Sequence, residues 1–228
     1  YKCLVRDGTR VVTRNPTTGV WAVSALHADI VHCEVCANVG GQLVAGSLRP
    51  WEWMTDVDKN FIAWSNIGSV SFLADRRNEA GYRRVSWDNG VVAVRRLSNG
   101  AAVYGYDGVA LLTPVVEPAP TFAYSDLMTT GIFSKGAVGG SLLGHCFVGS
   151  DGYLYILDPK AGITKLGFRE YMRQLSGEIL VNQNPIDGDF YITDGTTTYL
   201  LTGDGLAKIT QNVMSVFALS LIHISEPT

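Results

Sequence analysis

The sequence has 228 residues, of which 46% are hydrophobic and 17% charged, and it contains 25 glycines. This composition excludes an intrinsically disordered chain and indicates a folded protein rich in turns. The formal net charge of −3 excludes a globally basic surface of the kind that binds duplex nucleic acid through its phosphates.

Both ends of the sequence affect how much of it we expect to fold. The chain begins with Tyr1, just before a predicted strand at residues 3–5, and no signal peptide is recognised. Residues 219–228, LSLIHISEPT, match the translation of a sequencing-library adaptor along their whole length. We therefore expect one domain over residues 1–218, truncated at both ends, and a non-native tail at 219–228. No apolar run reaches about 18 residues, so no membrane helix and no membrane contact are predicted.

Four segments repeat one pattern of short β-rich runs joined by glycine turns. They span residues 34–46, 91–112, 145–167 and 188–210. In the last of them Asp194-Gly195 joins two runs of β-branched and aromatic residues. Asp-Gly between such runs is a strong hairpin signal because both residues tolerate positive φ.

The spacing of these turns predicts the architecture. The anchoring glycines are 59, 52 and 43 residues apart, at Gly41, Gly100, Gly152 and Gly195. Repeats of roughly 40–50 residues with about four strands each are typical of a β-propeller. The sequence therefore predicts an all-β fold, a β-propeller-like array of roughly four antiparallel blades in an incomplete fragment. The Gly-His and Trp-Asp signatures of WD40 proteins do not recur from one repeat to the next, which disfavours a tight repeat family of that kind.

The remaining segments supply further elements. Additional strands are predicted at residues 61–64, 70–73, 82–87 and 178–182. Residues 114–125 contain three prolines and are predicted to be an extended linker between units. A short helix is predicted near 168–176, because Phe168, Tyr171, Met172 and Leu175 follow helical spacing and Gly177 provides a stop. An irregular loop with anchoring aromatic residues is the alternative.

Cys33 and Cys36, preceded by His27 and His32, form the sharpest metal-site candidate. Zinc needs four converging ligands, normally from two pairs, and a second cysteine pair is missing. In a regular strand Cys33 and Cys36 would point to opposite faces. We therefore predict that they are small core residues and that the protein binds no metal. A redox-active pair is disfavoured because no βαβ context surrounds it.

Other residue patterns give no catalytic or cofactor signature. Asp187 with Asp189, and Asp56 with Asp58, lack the spaced oxygen series of a calcium loop, and aspartates are common in turns for geometric reasons. Residues 136–140 match no phosphate-binding motif. Ser141 lies near His145 in sequence, but no nucleophile elbow is present. We predict a protein that is not an enzyme and has no cofactor.

Two groups of residues are candidates for a contact surface. Trp51 and Trp53 place two indoles on one face of an extended segment, where they would stack on a sugar or base or pack in the core. Six arginines fall within 21 residues as three doublets: Arg76, Arg77, Arg83, Arg84, Arg95 and Arg96. They form a local basic patch that suits a phosphate or an acidic partner. Ordinary solvated strand faces are the alternative.

Several segments resemble propeller-like structural proteins of tailed-bacteriophage virions. The resemblance rests on residues 64–72 (WSNIGSVSF), 78–82 (NEAGY), 194–201 (DGTTTYLL) and 205–206, within a texture of Asp-Gly hairpins that covers roughly residues 20–217. Such proteins lie in the tail or at the connector below the portal. The resemblance implies a non-enzymatic virion protein, assembled in the host cytoplasm as a homo-oligomeric ring, that contacts other virion proteins or the DNA channel.

Three functions follow as hypotheses. The first is a virion structural or assembly protein built on a β-propeller, whose loops make the contacts. The second is a propeller module that binds a glycan or peptide through Trp51, Trp53 and loop tyrosines. The third is a propeller hydrolase or lyase whose acid pair is drawn from separate blades.

Overall fold

The structure is a computed structural model that describes residues 2–4, 10–14, 17–25, 32–49, 58–75, 77–116, 121–211 and 213–215. The described chain is nearly all β-structure, as predicted, with one short helix. No helix in these ranges is long and apolar enough to cross a membrane. Residues 219–228 lie outside the described residues.

Within the described residues, nineteen strands form one three-stranded sheet and four four-stranded sheets, all of them antiparallel meanders in chain order. The three-stranded sheet contains β1 (Lys2–Leu4), β2 (Arg10–Arg14) and β3 (Trp21–Ala25). The first four-stranded sheet contains β4 (His32–Val39), β5 (Gln42–Arg49), β6 (Asp58–Trp64) and β7 (Gly81–Arg84), and the second contains β8 (Ala93–Leu97), β9 (Gly100–Tyr104), β10 (Val109–Val115) and β11 (Thr121–Met128). The third contains β12 (Val138–Ser141), β13 (Gly144–Val148), β14 (Leu154–Leu157) and β15 (Ile163–Gly167), and the fourth contains β16 (Leu180–Gln183), β17 (Phe190–Thr193), β18 (Thr198–Thr202) and β19 (Gly205–Ile209).

The four-stranded sheets stack through their first strands. β4 contacts β8, β8 contacts β12, and β12 contacts β16. These four are the inner strands, and β7, β11, β15 and β19 are the outer strands. This arrangement is a propeller-like all-β array, and within the described residues the sheets do not close into a ring.

A hydrophobic layer fills each interface between successive four-stranded sheets. Between the first and second sheets, Trp64 meets Phe122 edge to face, with ring centroids 5.6 Å apart. Between the second and third sheets, Tyr104 meets Phe147 in the same way at 5.5 Å. Met172 lies in the layer between the third and fourth sheets. β9 and β13 are buried along their whole length, and apart from Tyr104 and the hydrogen-bonded His145 they carry small or apolar residues, as strands covered on both faces require.

The repeat is more regular in the structure than the glycine spacing indicates. The predicted anchors mix two kinds of turn, because Gly41 and Gly100 follow a first strand whereas Gly152 and Gly195 follow a second strand. The turns that are truly equivalent, between the second and third strands, carry aspartates 44 and 43 residues apart at Asp107, Asp151 and Asp194. Only the 52-residue interval came from aligning glycines of both turn types; the 59-residue interval reflects a longer first repeat, because β4 begins at residue 32, 61 residues before β8 begins at residue 93.

The predicted helix is confirmed, and it is shorter than expected. It is α1 (Arg169–Met172), and it begins after Phe168, whose left-handed φ of 54° turns the chain out of β15. Met172 is its buried residue.

Two predictions about the intervening segments are wrong. Residues 70–73 form a loop, although Phe72 is buried there. Residues 114–125 are not a linker, because β10 continues to Val115 and pairs with β11, with Pro114 opposite Phe122. Pro114 is tolerated because β9 pairs with β10 only as far as Leu112, so the missing N–H disrupts no ladder on that side.

Candidate functional site

The arginine doublets do not form one patch. Arg83 and Arg84 lie on the outer strand β7, whereas Arg95 and Arg96 lie on the inner strand β8 of the next sheet. The chain crosses the width of a sheet between them, which is about 14 Å for four strands. Arg77 is exposed in the loop before β7. Trp51, Trp53 and Arg76 lie outside the described residues.

The outer strands of the first two sheets present an aromatic and basic surface. The guanidinium of Arg83 lies 4.4 Å from the ring centroid of Tyr124 on β11. The Tyr124 hydroxyl donates to Asp126 at 2.6 Å, and the Ser86 hydroxyl donates to the same carboxylate oxygen at 2.7 Å. Burial, followed by the hydrogen bond to Asp126, raises the pKa of Tyr124. The tyrosine is therefore held in place by its hydroxyl while its ring face receives the arginine.

The other face of β7 adds two exposed side chains to this surface. Tyr82 is 54% exposed, although its ring stacks on Phe61 with centroids 5.4 Å apart. Arg84 pairs with Asp58, and its side chain is still 69% exposed. We call Tyr82, Arg83, Arg84 and Tyr124 the outer Tyr/Arg surface.

A cleft of about 320 Å³ lies along the inner strands. It is lined by Glu34 and Cys36 on β4, by residues 92–95 at the start of β8, and by Lys135. The Arg95 guanidinium donates to the Val138 carbonyl at 3.5 Å, which ties it to the third sheet. Glu34 is the one carboxylate that β4, β8, β12 and β16 carry. These four strands therefore do not bring two carboxylates face to face.

Cys33 belongs to a hydrophobic cluster of the first four-stranded sheet, and the partly buried Cys36 packs against the same cluster. The expectation that the two side chains lie on opposite faces of the strand is therefore wrong. The alternation of side chains breaks at a bulge in β5, where Ser47 has a left-handed φ of 51° and the register with β6 shifts. Leu48, the register partner of Cys33, lies in that cluster too. A disulfide is excluded because three residues of extended strand separate the Cα atoms by about 10 Å.

The chemistry of the Cys33 thiol also disfavours metal ligation. Burial, followed by the proximity of Cys36, raises the pKa of Cys33 to about 12, and a metal takes the thiolate form. No group of three or more metal-binding side chains occurs among the described residues. His27 and the side chain of His32 lie outside them, so the absence of a metal stays a prediction.

His145 makes a structural tie that the sequence did not reveal. Its ring is 1% exposed. Nδ1 lies 2.8 Å from the Tyr104 hydroxyl, and Nε2 lies 3.0 Å from the Arg96 carbonyl oxygen. Since a carbonyl only accepts, Nε2 carries the proton and Nδ1 accepts from the tyrosine. Burial lowers the pKa of His145 to about 4. The hydroxyl of Ser141 accepts instead from the Leu143 N–H, at 3.3 Å.

The turn aspartates serve geometry, as the sequence indicated. Asp194 accepts hydrogen bonds from the N–H groups of Thr197, Thr196 and Ser176 at 2.7–2.9 Å. Burial alone would raise the pKa of Asp194, but these bonds hold it well below its usual range. Asp151 likewise accepts from the Tyr155 hydroxyl at 2.6 Å.

A cavity of about 500 Å³ opens between the third and fourth sheets. Apolar side chains form part of its lining: Ile156, Leu166, Phe168, Phe190 and Leu201. Asp187 and Asp189, from the turn between β16 and β17, and Asp204, from the turn between β18 and β19, line the rest with neighbouring glycines. Alternate turns of a meander lie at the same end of a sheet, which is the sequence signal that would have placed these three carboxylates together. We call this the inter-sheet cavity.

Comparison with known proteins yields a fold and nothing finer. No protein-family model matches the sequence, and no curated protein matches it significantly. A chain of the "Crystal Structure of Mitotic Checkpoint Complex" is similar to this protein with a TM-score of 0.51 and 11% identity, over 91% of this chain and 60% of that chain. This chain therefore spans about three fifths of the matched chain. At that identity the likeness shows a propeller-like fold alone.

Proposed function

We propose that this protein is a non-enzymatic β-propeller scaffold that binds other proteins through the outer Tyr/Arg surface. The observation that carries the proposal is a set of exposed side chains on β7, Tyr82, Arg83 and Arg84, beside the partly buried Tyr124 on β11. Tyrosine and arginine are the residues most enriched at the energetic centres of protein interfaces.

The geometry of this surface suits a contact role. Tyr124 is fixed by Asp126 and Ser86, and the stacking of Tyr82 on Phe61 restrains its ring while leaving it more than half exposed. Side chains that are already ordered lose less conformational entropy when a partner binds. The charged edge of β7 also discourages uncontrolled strand pairing, because arginines on an edge strand oppose sheet extension.

We further propose a setting for the scaffold: the tail or connector of a tailed-bacteriophage virion, where it assembles as a ring with other virion proteins. The support is the resemblance of residues 64–72, 78–82 and 194–201, together with a described surface rich in contact residues. Contact with DNA is a weaker variant of this proposal, favoured only by Arg95 and Lys135 beside the inner cleft. The glycan-binding alternative depends on Trp51 and Trp53, which lie outside the described residues.

A genomic and a biochemical measurement together test the proposal. The intact reading frame is recovered with its neighbouring genes, and the chain is co-expressed with the adjacent tail or connector proteins. We expect a complex in size-exclusion chromatography with light scattering. The double substitution Arg83→Glu and Arg84→Glu should weaken it at least about tenfold, whereas Lys160→Glu, an exposed turn substitution, should not.

The double variant should fold, because exposed ion pairs and exposed cation–π contacts each contribute only about 1 kcal/mol or less. Its circular dichroism and melting temperature serve as the folding control. Neighbouring genes unrelated to virions would overturn the phage setting. A complex that tolerates both substitutions would overturn the role of the outer Tyr/Arg surface.

A further inference from the structure

The inter-sheet cavity is a gap in an otherwise continuous apolar layer. Ile156, Leu166, Phe168 and Phe190 pack at the edge of the core between the third and fourth sheets and are only partly buried. Deeper in the same layer Ile192 and Tyr199 are almost fully buried. The cavity volume of about 500 Å³ lies within the range of roughly 300–1,000 Å³ typical of ligand sites. The fold thus leaves apolar surface open at this place.

The polar part of the cavity carries one sign of charge. Asp187, Asp189 and Asp204 line it, and no basic side chain of the described residues does. Asp187 accepts from the Asn184 side-chain amide at 2.7 Å. The ion pairs of the described residues involve other carboxylates: Asp58, Asp151 and Glu170. Within the described part of the chain, three carboxylates therefore stand beside apolar surface without a cation.

Glycines keep this cavity accessible. Gly188, Gly203 and Gly205 line it, and a Cβ added at any of them would meet no atom within 4 Å. Gly188 and Gly205 have positive φ, which favours glycine for conformational reasons, whereas Gly203 does not. A side chain at Gly203 would therefore fit the backbone and crowd the cavity.

We propose that the inter-sheet cavity binds a segment of a partner protein in which a large apolar side chain stands next to an arginine or lysine. The apolar side chain would cover the exposed lining, which releases water from both surfaces. The cation would pair with the three carboxylates, and an acidic or phosphorylated segment would be repelled by them. A metal ion is a poorer occupant, because the described residues contain no group of three or more side chains placed to hold one.

This inference rests on the proposed function only in that both describe contacts with proteins. It concerns the third and fourth sheets, whereas the outer Tyr/Arg surface belongs to the first and second. The two tests use different substitutions, so either can fail without the other.

The experiment measures fluorescence polarisation of three labelled hexapeptides with the purified chain. The probe Gly-Leu-Arg-Leu-Arg-Gly has both required properties. Gly-Leu-Glu-Leu-Glu-Gly keeps the apolar residues and reverses the charge, and Gly-Ser-Arg-Ser-Arg-Gly keeps the charge and removes the apolar residues. We expect the first peptide to bind most tightly, and its binding to weaken as salt rises from about 50 to about 500 mM.

Three variants locate the binding. Replacing Asp187, Asp189 and Asp204 by Asn should weaken the first peptide about tenfold, because the two arginines would lose their exposed charge pairs, which contribute up to about 1 kcal/mol each. Gly203→Phe should weaken it through occlusion while leaving the charges in place. Replacing Glu170 and Glu178, two exposed carboxylates outside the cavity, by Gln should leave it unchanged. Melting temperatures confirm that each variant is folded.

Specific results would overturn the proposal. One is the absence of binding by the first peptide up to about 1 mM. Another is equal binding by the peptide that lacks leucines, which would indicate charge attraction alone. A third is self-association of the chain that the Asn variant abolishes, because a second copy would then be the occupant.

Discussion

Acidification should selectively destabilise the tie that His145 makes between the second and third sheets. The pKa of His145 is about 4 in the folded chain because the ring is buried, against about 6.5 in an unfolded chain. The unfolded state therefore binds the proton more readily, and the stabilising contribution is complete above pH 6.5 and is lost as the pH falls towards 4. A protonated ring would also put a second N–H where the Tyr104 hydroxyl now donates.

The magnitude follows from the two pKa values. His145 is only 1% exposed, so solvent does little to screen the charge that protonation would place on its ring. The difference between the folded and unfolded pKa values of His145 corresponds to a decrease in the free energy of unfolding. The decrease is about 2 kcal/mol between pH 7.5 and 5, and about 3 kcal/mol by pH 4. That is a large part of the 5–15 kcal/mol, roughly, that stabilises a typical domain.

Urea unfolding of the wild type and of His145→Gln, followed by tryptophan fluorescence from pH 7.5 to 5, measures this contribution. The sequence has four histidines, and the other three are common to both proteins, so the difference between the two stability curves isolates His145. The variant should be less stable at pH 7.5 but lose less stability on acidification. Tyr104→Phe, which removes only the hydroxyl, should lower the free energy of unfolding by about 1 kcal/mol and retain most of its dependence on pH. Parallel losses in wild type and His145→Gln, or an NMR titration of His145 with a midpoint near 6.5, would refute the reasoning.

Three further predictions concern packing, backbone approach and metal content. Met172→Ala should lower the free energy of unfolding by about 2–5 kcal/mol, because it leaves a cavity in the layer between the third and fourth sheets. The control is Tyr171→Ala, which should cost less because Tyr171 is 46% exposed. Urea unfolding measures both variants. Gly131→Ala should lower the free energy of unfolding by about 1–3 kcal/mol, because the added Cβ would clash with the Gly105 carbonyl oxygen. Gly203→Ala is the control: its Cβ would meet no atom within 4 Å, so its stability should be nearly unchanged in the same assay. Elemental analysis of the purified protein should find no stoichiometric zinc, and zinc that disappears in Cys36→Ser would contradict the prediction that Cys33 and Cys36 bind no metal.

The sequence predicts the strands well because their signals are local. Asp194-Gly195 and the runs on either side form β17, a tight turn and β18, as expected. Local sequence patterns give wrong predictions where a residue is buried by contacts with distant parts of the fold. Phe72 is buried in a loop, so its apolar neighbours imitate a strand, and Pro114 occurs in β10 because the neighbouring strand has already ended.

The candidate sites were harder to predict because they depend on how the sheets stack. Arg84 and Arg95 are close in sequence, yet one lies on an outer strand and the other on the next inner strand. A connection from the outer edge of one sheet to the inner edge of the next separates them. The inter-sheet cavity shows the reverse case, since Asp187 and Asp204 come from different turns and meet because those turns share one end of the fourth sheet.

One position in each of the last three repeats explains how similar turns support a stack of sheets although their hydrogen-bond partners differ. The turn between the second and third strands carries Asp107, Asp151 or Asp194. Asp107 accepts from the Asn89 amide, in the segment that leads into the second sheet. Asp194 accepts from the Ser176 N–H, in the segment that leads into the fourth.

The third sheet makes the same connection by another route. Its turn joins the leading segment through the backbone, where the Ser150 N–H donates to the Gly131 carbonyl at 2.9 Å, while the Asp151 carboxylate accepts from Tyr155 within the sheet. In these three sheets the turn between the second and third strands therefore forms a hydrogen bond with the segment that leads into the same sheet. Either a backbone or a side-chain hydrogen bond can make this connection. Sequence similarity between repeats is then needed only at the turn itself, which is why the Asp-Gly pairs are regular and the rest of each repeat diverges.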